Sequence, residues 1–121
     1  MIAQVIEMEK IVQQTLLYDF YGELLTEHQR RIYEDAVFND LSLSEIAREA
    51  GISRQGVHDL IRRCDRTLEG YEEKLGLIAK FRKTKEKVEE IHRLTREFSE
   101  TGNGDLIRRI GEISTEILEL G

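Results

Sequence analysis

A short segment in the first half of the chain places two helix-start signals on either side of one glycine. Ser42 can cap a helix, and Glu45 three residues later completes the capping-box pattern. Gly51 then stands where the first helix should stop, in a position that usually needs the positive φ that glycine adopts cheaply. Ser53 can cap a second helix only two residues later. This spacing predicts a helix-turn-helix over Leu43–Arg62.

The predicted motif has one apolar side for packing. On the first helix Ile46 and Ala50 lie one turn apart, and Ala47 is small where the second helix must pass closely. Ile52 is apolar and is predicted to plug the turn. The second helix carries an apolar stripe at i, i+3, i+4 and i+7, formed by Val57, Leu60, Ile61 and Cys64. Cys64 is therefore interpreted as a small buried hydrophobe rather than a reactive thiol.

The other side of the second helix is polar. A helix-turn-helix normally places this side in a DNA major groove, where arginine and glutamine reach base edges and arginine also reaches phosphates. The predicted nucleic-acid-binding residues are Arg54, Gln55, His58, Arg62 and Arg66. The same pattern could also serve only as a tight helical corner in an all-α protein.

The charge balance argues against a simple DNA-binding protein. The net charge is −6, and from Ser42 to Leu68 five arginines face four acidic residues, a local charge of only +1. Nucleic-acid affinity comes mostly from Lys and Arg neutralising phosphates, and a dedicated repressor usually has a stronger basic footprint. Asp59 lies in the middle of the polar side, where it would repel phosphate but could accept a hydrogen bond from a cytosine amino group. The ligand of the motif therefore remains open among DNA, RNA and protein.

A denser basic cluster follows the motif, with five basic residues within eight: Lys80, Arg82, Lys83, Lys85 and Lys87. One interpretation is a solvated helix face whose lysines pair with Glu86, Glu89 and Glu90. The other is a secondary contact with a nucleic-acid backbone or an acidic partner.

Helical periodicity extends over the rest of the chain, which has no proline and no alternating strand pattern. A first helix is expected to end near Gly22, and Thr26 with Gln29 forms a second capping box before a helix at about Glu27–Phe38. Asp105 is predicted to cap a last helix. The apolar residues assigned to the first helix are Val5, Met8, Ile11, Val12, Leu16, Leu17, Phe20 and Tyr21. The sequence thus predicts an all-α protein, with a helix-turn-helix domain at 1–78 and a C-terminal helical extension at 79–121.

The later helices carry more apolar residues than one small motif can cover. The extension is therefore expected to pack on the body or on a second copy, and a homodimer is favoured because helix-turn-helix proteins often work as two-fold pairs. The residues concerned are Tyr71, Leu75, Ile78, Val88, Ile91, Leu94, Phe98, Ile107, Ile110, Ile113, Ile117 and Leu118.

Several chemical functions have no support in the sequence. No glycine-rich loop precedes a Lys-Ser or Lys-Thr pair, and the three histidines are far apart, so neither a nucleotide loop nor a metal site is expected. We predict a protein that is not an enzyme and needs no cofactor. The chain has no 18-residue apolar run and no basic-then-apolar leader, which predicts no membrane span and a cytoplasmic location.

The segment from Leu24 to Leu75 resembles the region-four domain of bacterial sigma factors. In that family a Leu-Thr-x-x-Gln/Glu-Arg element precedes the motif, as Leu25, Thr26, Gln29 and Arg30 do here. The resemblance implies a sigma-region-four-like helix-turn-helix bundle, to which this chain adds a long C-terminal helical extension.

Residues 15–83 resemble more closely the YlxM family of small bacterial proteins. The matching elements are Asp19–Tyr21 and Leu24–Thr26 before the motif, Ser42–Ala47 in its first helix, Ser53, Arg54, Gln55, Val57, Asp59, Ile61 and Arg62 in its second, and Leu68, Glu69 and Tyr71–Leu77 after it. Members are typically encoded beside the GTPase of the signal recognition particle. The resemblance therefore implies a regulatory or accessory role in that pathway, with the particle's RNA or its GTPase as partner. A transcription regulator that reads DNA is the alternative, and a purely structural adaptor is a third.

Overall fold

The computed structural model describes the backbone from Ile2 to Gly121 and the side chains from Glu9 onward. Val5 and Met8, which were assigned to the apolar side of the first helix, therefore lie outside the described side chains. Between residues 2 and 121 the chain forms six α-helices and one 3₁₀ turn and no β-strand, which confirms the predicted all-α class. The elements are α1 (Ile2–Tyr21), η1 (Gly22–Leu24), α2 (Glu27–Val37), α3 (Leu43–Ala50), α4 (Arg54–Leu75), α5 (Leu77–Thr101) and α6 (Gly104–Leu120).

The predicted start of α2 is confirmed in detail. The Gln29 backbone N–H donates to Thr26 Oγ1 at 3.2 Å, and the Thr26 backbone N–H donates to Gln29 Oε1 at 3.0 Å. This reciprocal pair satisfies two donors that a helix start would otherwise leave without a partner. As expected, the first helix ends just before Gly22, which opens the single 3₁₀ turn.

The first compact unit ends at Gly76, and the second runs from Leu77 to Gly121. This division lies two residues before the end of the domain expected at 1–78. Its cause is Gly76, which takes a left-handed conformation with φ 61° and ends α4. Gly70, a second glycine in the same stretch of sequence, lies inside α4 and does not interrupt it.

The core of the first unit positions the motif. Ile32 of α2, Ile46 and Ala47 of α3, and Val57 of α4 are buried together, so three helices meet around α3. Ala47 allows α3 and α4 to approach, as predicted, because its side chain is a single methyl group.

Polar contacts hold the second half of α4 against α1 and α2. The carboxylate of Asp65 accepts hydrogen bonds from the Tyr33 hydroxyl at 2.6 Å and from Gln14 Nε2 at 3.0 Å. Burial, reinforced by this bond to Asp65, raises the pKa of the Tyr33 hydroxyl, so it stays a donor at neutral pH. One turn from the end of α4, Glu72 accepts from the Tyr21 hydroxyl at 2.6 Å. These polar contacts therefore fix the second half of α4, while Val57 holds its first half in the core.

The second unit is a hairpin of α5 and α6. Gly102, with φ 68°, ends α5, and Asn103 Oδ1 accepts from the Asp105 backbone N–H at 3.0 Å to start α6. The prediction that Asp105 caps this helix is therefore wrong by two residues. Asn103 is the cap, and the backbone N–H of Asp105 is the group that it caps. An asparagine amide oxygen accepts from a helix N–H as readily as a carboxylate does, so the sequence alone does not indicate which of the two residues caps the helix.

One side of this hairpin is ionic. Lys87 Nζ lies 2.9 Å from Glu116 Oε2, and Arg109 reaches both Glu90 of α5, at 3.5 Å, and Glu116, at 3.6 Å. Leu94 and Ile113 are the buried residues of the two helices in this region. The pair Lys87–Glu116 thus joins α5 to α6.

Candidate nucleic-acid interface

The turn between α3 and α4 has the geometry that its sequence predicts. Ser42 Oγ accepts from the Glu45 backbone N–H at 3.1 Å, and Ser53 Oγ accepts from the Gly56 backbone N–H at 2.9 Å. Gly51 has φ 69°, and this left-handed turn lets the Ile52 backbone N–H donate to the Ala47 carbonyl at 3.1 Å. Both caps and the left-handed glycine are confirmed.

Two details of the motif differ from prediction. Glu45 does not complete a capping box, because its Oε1 accepts from the Ser42 hydroxyl at 3.2 Å instead of from the Ser42 backbone N–H. Ile52 does not plug the turn either, since 37% of it remains exposed. The buried residues next to the turn are instead Ile46 of α3 and Val57 of α4.

The outward side of α4 collects the polar residues that the sequence assigned to it. Val57 and Cys64 are fully buried on the inward side, while the opposite side is exposed to solvent. Cys64 is buried, as its place on the apolar stripe predicts, and this burial raises the pKa of its thiol to about 11. The exposed residues are Arg54, Gln55, His58, Asp59, Arg62 and Arg66.

Arg63 is a further member of this surface that sequence reasoning missed. It is exposed and lines one shallow concavity of α4 together with Asp59, Arg62 and Arg66. Its position four residues after Asp59 was the available signal, because residues four apart are neighbours on a helix. Among the described side chains, no carboxylate lies within 4.0 Å of the guanidinium of Arg54, Arg62, Arg63 or Arg66. These four charges are therefore available to a ligand, and we call them the α4 arginines.

Asp59 lies among these arginines but contacts other residues. Its Oδ1 accepts from Gln55 Nε2 at 3.0 Å and lies 3.8 Å from His58 Nδ1. Gln55 and His58 also line a second concavity with Arg54 and with Leu43 of α3. The first turns of α4 thus present hydrogen-bonding groups beside the charge of Arg54, and the arginines from Arg62 onward present further positive charge.

The structure divides the basic cluster that follows the motif. Lys80, Arg82, Lys83 and Lys85 are exposed on α5, whereas Lys87 is partly buried and pairs with Glu116 of α6. The pairing expected within α5 is also different, because Glu90 contacts Arg109 of α6. Lys87 therefore belongs to the α5–α6 contact, and at most four residues of the cluster face a partner.

Among the described side chains, no three histidine, cysteine or acidic residues lie together in a group that could hold a metal ion. Among the described helices, none combines the length and hydropathy required to cross a membrane.

Comparison with known sequences agrees with this geometry. The model of the YlxM/p13-like helix-turn-helix family matches residues 8–104, which include most of α1 and all elements from η1 to α5. The chain belongs to the YlxM/p13-like family. This YlxM-family protein thus has its motif at the centre of the matched region, and the family is a helix-turn-helix family rather than an enzyme family.

Curated relatives extend the similarity to nearly the whole chain. A UPF0122 protein of Caldanaerobacter subterraneus is 54% identical over 77 residues, which cover 64% of this chain and 66% of the relative. A UPF0122 protein of Thermoanaerobacter sp. is 44% identical over 107 residues, covering 88% and 92% of the two chains. Another, of Acetivibrio thermocellus, is 40% identical over 116 residues, covering 93% and 99%. The similarity to the last two of these relatives therefore extends into the second unit.

Proposed function

We propose that this protein binds nucleic acid through the outward side of α4. The observation that carries the proposal is the group of α4 arginines, which are exposed and have no carboxylate partner within 4.0 Å among the described side chains. The motif has the form that fits a nucleic-acid groove, and several guanidinium groups beside it have no partner. This arrangement is expected of a surface that binds phosphates and contacts bases.

The distribution of charge supports a small, localised contact. Residues 1–76 contain nine basic and fifteen acidic residues, whereas residues 77–121 contain nine of each, so the whole net charge of −6 belongs to the unit with the motif. Acidic surface away from α4 repels phosphates and opposes indiscriminate binding. A ligand must therefore gain its affinity from the α4 arginines and from groups near them.

We propose, from the family resemblance, that the biological role is accessory or regulatory in the signal recognition particle pathway, with the particle's RNA or its GTPase as the partner. A role of this kind places the protein in the cytoplasm. The motif side of α4 and the exposed lysines of α5 are the two surfaces through which such a partner could be bound.

The test is a binding titration of the full-length protein against the particle's RNA, its GTPase and the assembled particle, each measured separately. We expect binding to at least one of them at micromolar concentration or tighter. Sequence-specific binding to DNA, together with no detectable binding to any of the three, would replace this role with transcription regulation.

DNA-binding regulation is the second candidate, and the shape of the motif favours it. The first turns of α4 are exposed, and the major groove of B-form DNA is wide enough to admit a helix. The major groove of an RNA helix is too narrow for side chains to read. An RNA partner would therefore have to offer a loop, a bulge or its backbone to the same residues.

We further propose that the protein is a homodimer whose contact lies in α5 and α6. Of the apolar residues assigned to this contact, Leu94 and Ile113 are buried, but Val88, Ile107 and Leu118 are 50%, 51% and 78% exposed. Ile107 and Leu118 are eleven residues apart, about three helical turns, and so lie on one side of α6. Large exposed apolar side chains on one side of a helix support a contact with a partner.

Light scattering at micromolar concentration tests the dimer. For the wild-type protein we expect a mass near twice the 14.1 kDa of one chain. The Leu118→Arg variant should have a mass closer to that of the monomer, because the substitution places a charge in the apolar contact. Leu24→Arg is the matched control, since Leu24 is equally large, is 56% exposed and lies far from α6 in the sequence. A wild-type mass near 14 kDa would rule out the dimer.

A further inference from the structure

The carboxylate of Asp59 lies at the centre of the proposed nucleic-acid surface. Its side chain is 56% exposed, and Gln55, Arg62 and Arg63 are each within one helical turn of it. Its Oδ1 accepts from Gln55 Nε2 at 3.0 Å, and none of the α4 arginines lies within 4.0 Å of it. A residue so placed faces any duplex that the arginines bind.

A carboxylate limits what can stand opposite it, because it only accepts hydrogen bonds. It repels phosphate oxygens and the N7 and O6 acceptors of guanine, so it opposes most registers in which α4 could enter a groove. The hydrogen-bond donors on the floor of the major groove are the amino groups of cytosine and adenine. Adenine carries the acceptor N7 beside its amino group, whereas cytosine carries no acceptor there.

We infer that Asp59 determines sequence specificity by selecting a cytosine on one strand of duplex DNA. The inference rests on the proposed function and commits its ligand to DNA. The α4 arginines bind phosphates and guanine acceptors nearby, and Asp59 accepts from the cytosine amino group of a C·G pair. Any other base edge, or a phosphate, placed opposite the carboxylate would weaken binding. This difference in binding free energy would distinguish the preferred DNA sequence from others.

Gln55 is the positioning residue in this arrangement. Its Nε2 donates to Asp59 Oδ1, and Asp59 Oδ2 accepts from no described side chain, which leaves that oxygen for a base. A half-turn rotation of the Gln55 amide would place its Oε1 against the Asp59 carboxylate. Repulsion between these two hydrogen-bond acceptors opposes that rotation. The bond therefore favours one orientation of both side chains before a ligand arrives.

The experiment selects duplexes from a pool of random-sequence DNA with full-length wild-type protein and with Asp59→Asn. The asparagine keeps the size of the side chain and an oxygen that can accept from Gln55, but removes the charge. We expect wild type to enrich a C·G pair at one position, and the variant to lose about tenfold of that preference. Affinity of the variant for the unselected pool should rise, because one repulsive charge is gone.

Glu69→Gln is the matched control. Glu69 is exposed and lies seven residues, two turns, after Arg62 on the same side of α4, so its substitution removes the same charge beyond the first turns of the helix. It should raise affinity for the pool and leave the base preference of wild type intact.

Three outcomes overturn the inference. If Asp59→Asn keeps the cytosine preference, or if wild type binds duplexes without any base preference, Asp59 is not the specificity determinant although the proposed binding function stands. If wild type binds no duplex even at low salt, the inference fails together with the DNA-reading candidate function.

Discussion

Gly51→Val should destabilise the first unit without changing a single side-chain contact in its core. The φ of 69° at Gly51 lies in the left-handed region, where a β-branched residue is strained by about 1–3 kcal/mol. A Cβ built on Gly51 meets no atom within 4 Å, so the expected loss comes from the backbone conformation and not from a clash. Each kcal/mol lowers the melting temperature by about 4–8 °C in a unit of this size. Thermal unfolding followed by circular dichroism measures the effect.

Two variants separate the backbone term from a general intolerance of substitution. Gly51→Asn should lose much less stability, because asparagine visits the left-handed region more easily than other residues do. Gly70→Ala, in the interior of α4 with no atom within 4 Å of the added methyl group, should gain up to about 1 kcal/mol. Equal melting temperatures for Gly51→Val and wild type would contradict the argument that this conformation constrains the turn.

The elements that could be predicted from the sequence are those fixed by neighbours along the chain. Thr26 with Gln29, Ser53 with Gly56, and Gly51 each act over three or four residues, so their residue types alone identify the helix ends. The inward side of α4 was predictable for the same reason, because a helix repeats every 3.6 residues and Val57 and Cys64 must point the same way.

The features that could not be predicted depend on distant parts of the chain or on a choice between equivalent groups. Lys87 had three acidic residues nearby on its own helix, yet its partner is Glu116, 29 residues away. Ile52 is apolar but remains 37% exposed, and the buried cluster formed by α2, α3 and α4 does not include it. Gly70 and Gly76 are both glycines in a long polar stretch, and only the conformation adopted at Gly76 distinguishes a helix end from a helix interior.

The candidate site also has features that the sequence could predict and features that it could not. Periodicity placed Arg54, Gln55, His58, Arg62 and Arg66 on one side of α4, and the structure exposes all five. Sequence periodicity could not show whether acidic groups of other helices already pair with these arginines. The proposed function requires that they do not. Nor could periodicity show that Asp59 is bonded to Gln55 rather than to an arginine.

Replacing Arg54 and Arg62 together with alanine should weaken nucleic-acid binding by roughly tenfold or more, because both guanidinium groups are exposed and lack carboxylate partners among the described side chains. Each lost phosphate contact should also reduce the slope of log K against log salt concentration by up to about one unit. Fluorescence anisotropy with a random-sequence DNA duplex and with the signal recognition particle RNA, over a series of salt concentrations, measures both quantities. Neither residue lies in the core, so circular dichroism should give a melting curve close to that of wild type.

Lys83→Ala with Lys85→Ala is the matched control for this double variant. It removes the same number of positive charges from exposed positions of α5, in the second unit, and leaves the ionic pair of Lys87 intact. If the α4 arginines form the binding surface, the lysine variant should lose little affinity and keep the steeper salt slope of wild type. The reverse pattern, with binding abolished by the lysine substitutions and unchanged by the arginine substitutions, would move the site to α5. The helix-turn-helix would then serve as a structural corner that supports a surface elsewhere, because a surface whose charges can be removed without effect on binding contacts no phosphate.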